Sequence, residues 1–310
     1  MNRREFIVGA TSIGLVPESF AKDIPAGLKI RFLGTGAADW EGKDERGEQR
    51  RWSSVLVDDT VLVDFTIRNA DMLPPDVRPD AIFYTHSHDD HYQPVAALKH
   101  GVRRVYVHES WAEGARTEFA EAAGKLGVAV PGIRGLAFGE AAEEHGVRFT
   151  IVPANHATSR KDECAAMYLI EKGGERLLYA TDTGGIMTEA ARIVGIDAHE
   201  RGKPITALIM EATMGVEHAD DFRIFAHSSV DTVARVVRVL TTTNRYLPTP
   251  GRKVYLTHLA RTLHGTQVEI EEAVPSPLCP AFDGLEWILD SAEGRFQTEQ
   301  RNDTGAAVRG

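Results

Sequence analysis

The chain has 310 residues, enough for one large domain or two small ones, and its 43% hydrophobic content supplies a globular core. Its 45 acidic residues outnumber 35 basic ones, for a net charge of −10. That balance argues against a nucleic-acid polymer as the main partner, because phosphate backbones select basic faces. It leaves room for a small anionic substrate held by metal ions.

The first residues read as a targeting segment. Asn2-Arg3-Arg4-Glu5-Phe6 resembles a twin-arginine export signal, and residues 6–16 are weakly apolar but too short to span a membrane. Ser19-Phe20-Ala21 supplies a small-x-small cleavage site. The expectation is a signal peptide over residues 1–21 and a mature hydrolase domain over 22–310, exported to the periplasm. No later segment is long and apolar enough for a transmembrane helix.

Residues 28–33 read as a strand, followed by Gly34-Thr35-Gly36. A dinucleotide-binding reading fails there, because the third glycine is missing and no helix opens. The glycines instead let the backbone turn tightly beneath a site. Residues 40–51 form a polar loop. Strands follow at 54–57 and 60–64 around an Asp58-Asp59 turn, then at 81–84, 104–107, 148–152, 165–171 and 176–180. Lys172-Gly173-Gly174-Glu175 joins the last two as a hairpin. Later strands are expected at 207–210 and 253–257, with helices at 95–99, 111–126, 188–194 and 229–240. Strands in runs with interspersed helices predict a one-domain α/β sandwich, with a polar tail from residue 297.

The chemistry concentrates after the strand at 81–84. Thr85-His86-Ser87-His88-Asp89-Asp90-His91 packs three imidazoles and two carboxylates into seven residues. Histidine nitrogen and aspartate oxygen are the ligand pairing of zinc, manganese and iron sites. The spacing is too tight for one ion to use every group. His86 and His88 can converge on one ion while Asp90 and His91 face a second, with Asp89 a bystander. Three further ligand types stand at strand ends: His156, Asp182 and His258. Cys164 and Cys279 form no C-x-x-C pair, so cysteine carries none of this and one disulfide at most.

Together these residues resemble the metallo-β-lactamase superfamily, in its dinuclear hydrolase branch. The resemblance runs from Gly34-Thr35-Gly36 to Phe282-Asp283-Gly284-Leu285-Glu286. It implies a four-layer αββα sandwich with the site at one edge of two facing sheets. It implies two divalent ions, zinc or manganese: His86, His88 and His156 on one, Asp90, His91 and His258 on the other, and Asp182 bridging them. His100, His108, His145, His199, His218 and His264 have no second ligand near in sequence and are expected at the surface, His264 near the rim.

His227, in Ala226-His227-Ser228-Ser229, is similar to an additional histidine of the phosphodiesterase branch, which includes transfer-RNA 3′-processing nucleases and the phosphoribosyl cyclic phosphodiesterases. The chain departs from the latter in having no cysteine in residues 37–49, so no third, structural metal is expected. The resemblance implies cleavage of a small, in some relatives cyclic, phosphodiester by a hydroxide formed between the ions. Asp90 would orient that nucleophile and His227 would protonate the leaving group. Arg50, Arg51, Arg160 and Lys161 are candidates for holding a remote phosphate, and Glu211 for supporting the site. A lactone or carboxylic ester hydrolase on the same fold is the alternative, and a non-catalytic metal- or ligand-binding protein is a third reading. Members of this branch are often dimers, so a homodimer is compatible with it.

Overall fold

The computed structural model describes residues 27–199 and 202–290. The export signal expected at residues 1–21 and the tail from 297 lie outside the described residues. In chain order the strands are β1 (Leu28–Gly34), β2 (Ser54–Val57), β3 (Val61–Val63), β4 (Ala81–Phe83), β5 (Arg104–His108), β6 (Gly132–Leu136), β7 (Ala141–Glu144), β8 (Val147–Pro153), β9 (Ala166–Lys172), β10 (Glu175–Ala180), β11 (Ala207–Glu211), β12 (Val254–Thr257), β13 (Leu278–Pro280) and β14 (Glu286–Leu289). The α-helices are α1 (Pro94–Lys99), α2 (Ala112–Leu126), α3 (Thr188–Val194), α4 (Val230–Thr242) and α5 (Gln267–Ala273).

Local chemistry explains the punctuation. The β2–β3 turn takes Asp58 and Asp59 through positive φ of 48° and 57°, which short Asx side chains tolerate better than most. Gly173 and Gly174 do the same between β9 and β10, where glycine carries no Cβ penalty. The Ser229 hydroxyl accepts the Thr232 amide at 3.2 Å and starts α4, whose Val230, Val233, Val237 and Leu240 recur on one buried face.

The strands form two seven-stranded sheets, ordered β14-β1-β2-β3-β4-β5-β6 and β13-β12-β11-β10-β9-β8-β7. Both faces of each sheet are covered, and the period of two sorts the side chains. Ile30, Val55, Val63 and Phe83 meet Phe149, Tyr168, Tyr179 and Ile209 between the sheets. Phe83 stacks on Tyr106 at 4.3 Å and on Phe149 at 4.2 Å between ring centroids. The alternate residues Leu56, Leu62 and Ile82 pack against α1 and α2. Leu169, Leu178 and Met210 pack against α3 and α4. This is the expected αββα sandwich.

The four strands that the sequence reading missed, β6, β7, β13 and β14, are the edges of the two sheets. β6 (GIRGL) and β7 (AAEE) lack the apolar alternation of inner strands, and β13 carries a proline, which edges accept. The helix α5 was also missed, although Thr266 and Glu269 form a reciprocal capping box.

Candidate metal centre

The inner strands deliver their C-terminal ends to one edge of the sandwich. β4 runs into the His86–His91 segment, β8 into His156, β10 into Asp182, β11 ends at Glu211, and β12 into His258. β10, β11 and β12 are parallel neighbours, so Asp182, Glu211 and His258 leave the sheet side by side. Asp64, Asp182 and His258 turn through positive φ of 55°, 45° and 54°. Non-glycine residues occupy that region at a cost of about 1–3 kcal/mol each, and such strain concentrates at functional sites.

All seven residues expected to bind metal come together, in two groups. His86, His88 and His156 form one, and Asp90, His91, Asp182 and His258 the other, with the potential ligand atoms of each group within 4.8 Å of one another. His88 Nδ1 lies 2.9 Å from His86 Nε2 and 3.3 Å from His156 Nε2. Asp182 stands between the groups. Its Oδ2 is 2.8 Å from His91 Nε2 and 3.3 Å from His86 Nε2, and its Oδ1 is 3.0 Å from His258 Nε2. Asp90 Oδ2 lies 3.2 Å from His91 Nε2 and 3.5 Å from His258 Nε2.

The donor set fits divalent cations. His91 Nε2 and Asp182 Oδ1 are buried and complete no hydrogen bond, an expensive condition unless something else satisfies them. Burial holds His86 well below its ordinary pKa, reinforced by the neighbouring His91, and burial together with His156 lowers His88. Neutral imidazole is the form that binds metal. Burial opposes ionisation of Asp90 and Asp182, yet the facing histidines outweigh it and hold both well below the carboxylate range. Burial likewise opposes a proton on His91, and Asp90, Asp182 and Asp64 outweigh it. Positive charge is therefore demanded at the point where a cation would supply it.

The remaining ring nitrogens are held in place. His86 Nδ1 is 3.0 Å from Thr85 Oγ1, His91 Nδ1 is 2.8 Å from Asp64 Oδ2, and His258 Nδ1 is 2.9 Å from Thr213 Oγ1. His156 Nδ1 lies 3.1 Å from the Ala226 carbonyl. Such partners fix ring orientation and raise ligand basicity. Asp64, Thr85 and Thr213 escaped the sequence reading. Asp64 carried a signal: like Asp182 and Glu211, it is an acid at the end of an apolar strand.

His227 closes the far side. Its ring centroid is 4.8 Å from that of His156 and 5.6 Å from that of His258. Its Nδ1 lies 3.2 Å from Glu211 Oε1 and 3.6 Å from Asp182 Oδ1. Burial lowers its pKa, but Glu211, then Asp182 and Asp90, push it up to about 9. Glu211 also accepts the Thr213 hydroxyl and the Thr183 amide, so it braces His258, His227 and the Asp182 turn together. Asp182, Glu211, His227 and His258 form a third grouping that shares two members with the second, so the two compete for the same ligands.

The basic residues behave differently from expectation. Arg50 is 6% exposed and donates to Thr35 Oγ1, the Ala281 carbonyl and Gln267 Oε1, so it is committed to the interior and unavailable to substrate. Arg51 is paired with Asp71 and Asp283, and Arg160 with Glu118 at 2.8 Å. Lys161 is exposed. His108 is buried on Ser110 and Phe138, not at the surface, and His264 donates to the Ala212 carbonyl at 2.6 Å. His145 and His199 are exposed as expected, and His100 and His218 are partly so. No disulfide joins Cys164 and Cys279. Gly34 and Gly36 do sit beneath the site: the Thr35 carbonyl accepts the amide of Leu259, next to His258. A Cβ on Gly34 would lie 1.9 Å from the Trp52 carbonyl oxygen.

A family model described as the beta-lactamase superfamily domain matches residues 53–259, which hold all seven clustered residues. The chain belongs to the beta-lactamase superfamily. Solved structures share the fold at low identity. A diphosphatase from the PhnP family is 21% identical with a TM-score of 0.57, covering 85% of this chain and 98% of that one. Zn(2+)-bound PqqB from Methylobacterium extorquens is 18% identical with a TM-score of 0.58, covering 84% and 99%. The short form of human tRNase Z is 14% identical with a TM-score of 0.58, covering 84% and 99%. No curated protein matches at a significant level.

Proposed function

We propose that the protein is a dinuclear metal-dependent hydrolase that cleaves a small phosphodiester. The observation that carries this reading is His227, an imidazole set against both histidine groups and backed by Glu211, which favours a proton on the ring. Such a group suits a reaction whose leaving oxygen needs a proton. The diphosphatase and tRNase Z among the structural neighbours also act on phosphate esters or anhydrides by name, which supports the same choice.

His86, His88 and His156 would hold one cation, Asp90, His91 and His258 the other, and Asp182 both. When bound, two divalent cations lower the pKa of water towards neutrality and neutralise charge on phosphoryl oxygens. The chain's own residues do the rest. Asp90, with Oδ2 facing His91 and His258, orients the attacking water and can take its proton. His227 donates a proton to the leaving alkoxide, and Glu211 stabilises the imidazolium that does so. Asp64 and Thr213 keep the ligand rings in register.

The net charge of −10 favours a small anionic substrate over a nucleic-acid polymer. Arg3-Arg4 and the segment after them support export by the twin-arginine route, and we place the enzyme in the periplasm on that ground. The decisive experiment measures bound metal on purified protein and assays a chromogenic phosphodiester beside a lactone. Phosphodiester turnover that depends on two ions, and falls about 100-fold or more in His227→Ala, is expected. A full metal complement with lactone turnover alone would select the alternative reading, and no turnover of either would favour a binding protein.

A further inference from the structure

The loop of residues 155–164 leaves β8 with His156 at its start and is closed by a hydrogen bond from the Ala154 amide to the Ala165 carbonyl at 3.0 Å. Near its other end stands Glu163, whose side chain is fully buried. Both carboxylate oxygens of Glu163 are spent on one residue: Oε1 accepts the Ser87 amide at 2.6 Å and Oε2 accepts the Ser87 hydroxyl. Ser87 is the residue between His86 and His88. One loop therefore presents His156 and also grips the peptide that presents the other two members of the first histidine group.

The grip is anchored in turn. Arg160 Nε lies 3.7 Å from Glu163 Oε2, and Arg160 Nη2 donates to both carboxylate oxygens of Glu118, on α2, at 2.8 and 3.1 Å. The guanidinium carbon lies 5.7 Å from the centre of the Trp111 ring. Arg160 Nη1 passes close over Gly114 of α2, 2.7 Å from where a Cβ would stand. The Thr158 hydroxyl faces the Arg160 and Glu163 carbonyls at 3.0 and 3.3 Å and holds the loop's own shape. The second group has a support of its own in Thr213, behind His258, whereas Asp64 serves both groups, behind His91 and, through the Thr85 hydroxyl, behind His86.

We propose that Glu163 is the positioning residue of one metal position only, that of His86, His88 and His156, and that it sets the affinity of this position separately from the other. A buried carboxylate with both oxygens bonded to one residue fixes that residue's backbone as well as its side chain. The two flanking rings then hold their convergence without a cation and bind one without reordering. The proposal rests on the two-ion reading given above.

Zinc stoichiometry by plasma mass spectrometry, and zinc affinity by chelator competition, test it on the full chain. Wild type should hold two ions. Glu163→Ala should weaken one of them by about 10- to 100-fold, the loss typical of outer partners, and leave the other unchanged. Glu163→Gln should recover most of that affinity, because its amide oxygen accepts the Ser87 amide and its NH2 meets the hydroxyl. His88→Ala marks the same ion, so Glu163→Ala added to His88→Ala should remove nothing further. Thr213→Val should weaken the other ion, because Thr213 faces His258 and no member of the first group. Two ions at wild-type affinity in Glu163→Ala would overturn the proposal, and so would equal weakening of both. A wild type that holds a single ion would overturn the two-ion reading itself, and the proposal with it. Glu163→Gln and a melting curve in chelator separate lost affinity from lost fold.

Discussion

Exchange of Glu211 for glutamine tests the proton-donor role of His227 while leaving the imidazole in place. Burial of His227 favours the neutral ring, and Glu211 is the largest of the influences that overturn it. The distance between about 9 and the ordinary 6.5 corresponds to about 3 kcal/mol of preference for the imidazolium, at about 1.4 kcal/mol per pH unit. A group with a pKa near 9 is almost wholly protonated at pH 7.5, whereas one returned to its ordinary value is about one-tenth protonated there. A donor works only when protonated, so kcat/KM falls as pH rises through the His227 value, and in Glu211→Gln that fall comes at lower pH. Two cations bound as proposed would repel the imidazolium proton and shift both profiles towards acid, so the difference between them is the quantity to measure. The alkaline limb should move down by about 1–2.5 pH units, with about a tenfold loss at pH 7.5 that is largely recovered near pH 6. The loss should be greater with an alkyl leaving group, which needs the proton, than with p-nitrophenolate, which does not. Glu211 also accepts Thr213, the partner of His258, so metal content is measured on the same samples. An unmoved alkaline limb with both ions retained would refute the argument.

Three further outcomes are expected. Burial pushes His264 down to about 4, so the folded chain refuses a proton that the unfolded chain accepts near 6.5. The stability contribution is complete above pH 6.5 and is lost as pH falls towards 4; with partial exposure discounted it amounts to about 2 kcal/mol. Chemical denaturation across that range should show a shallower acid loss in His264→Gln, which retains a donor for the Ala212 carbonyl. Phe83, stacked between Tyr106 and Phe149 in the inter-sheet core, should cost about 3–5 kcal/mol when replaced by alanine, read as a lower urea midpoint. Phe222 and Phe225 are 73% and 81% exposed, on a segment whose Phe225 carbonyl accepts from Asn155 and whose next carbonyl accepts from His156. Their joint replacement by alanine should raise KM about tenfold for an aryl phosphodiester and leave kcat near its native value; an equal rise for a methyl ester would contradict an apolar contact there.

The sequence by itself determined which histidines and aspartates gather at the candidate metal centre, and the interior of the sandwich. An H-x-H-x-D-H run after an apolar strand leaves little choice of chemistry, and inner strands buried on both faces announce themselves as apolar runs. Each of the ten strands read from the sequence is present, because burial on both faces demands apolar residues whatever their neighbours. The tertiary structure alone decided the four edge strands. AAEE at Ala141–Glu144 has helix-forming composition, and it is a strand because β8 offers it a ladder. Charge alone likewise could not tell a substrate-binding arginine from a structural one. Arg50 went to the interior because Thr35, Gln267 and the Ala281 carbonyl converge on it from distant parts of the chain. The outer partners of the metal centre were hidden for the same reason. Asp64, Thr213 and Glu163 lie 27, 45 and 76 residues from His91, His258 and Ser87; parallel pairing of β3 with β4 and of β11 with β12 brings the first two pairs together, and the packing of the two sheets the third.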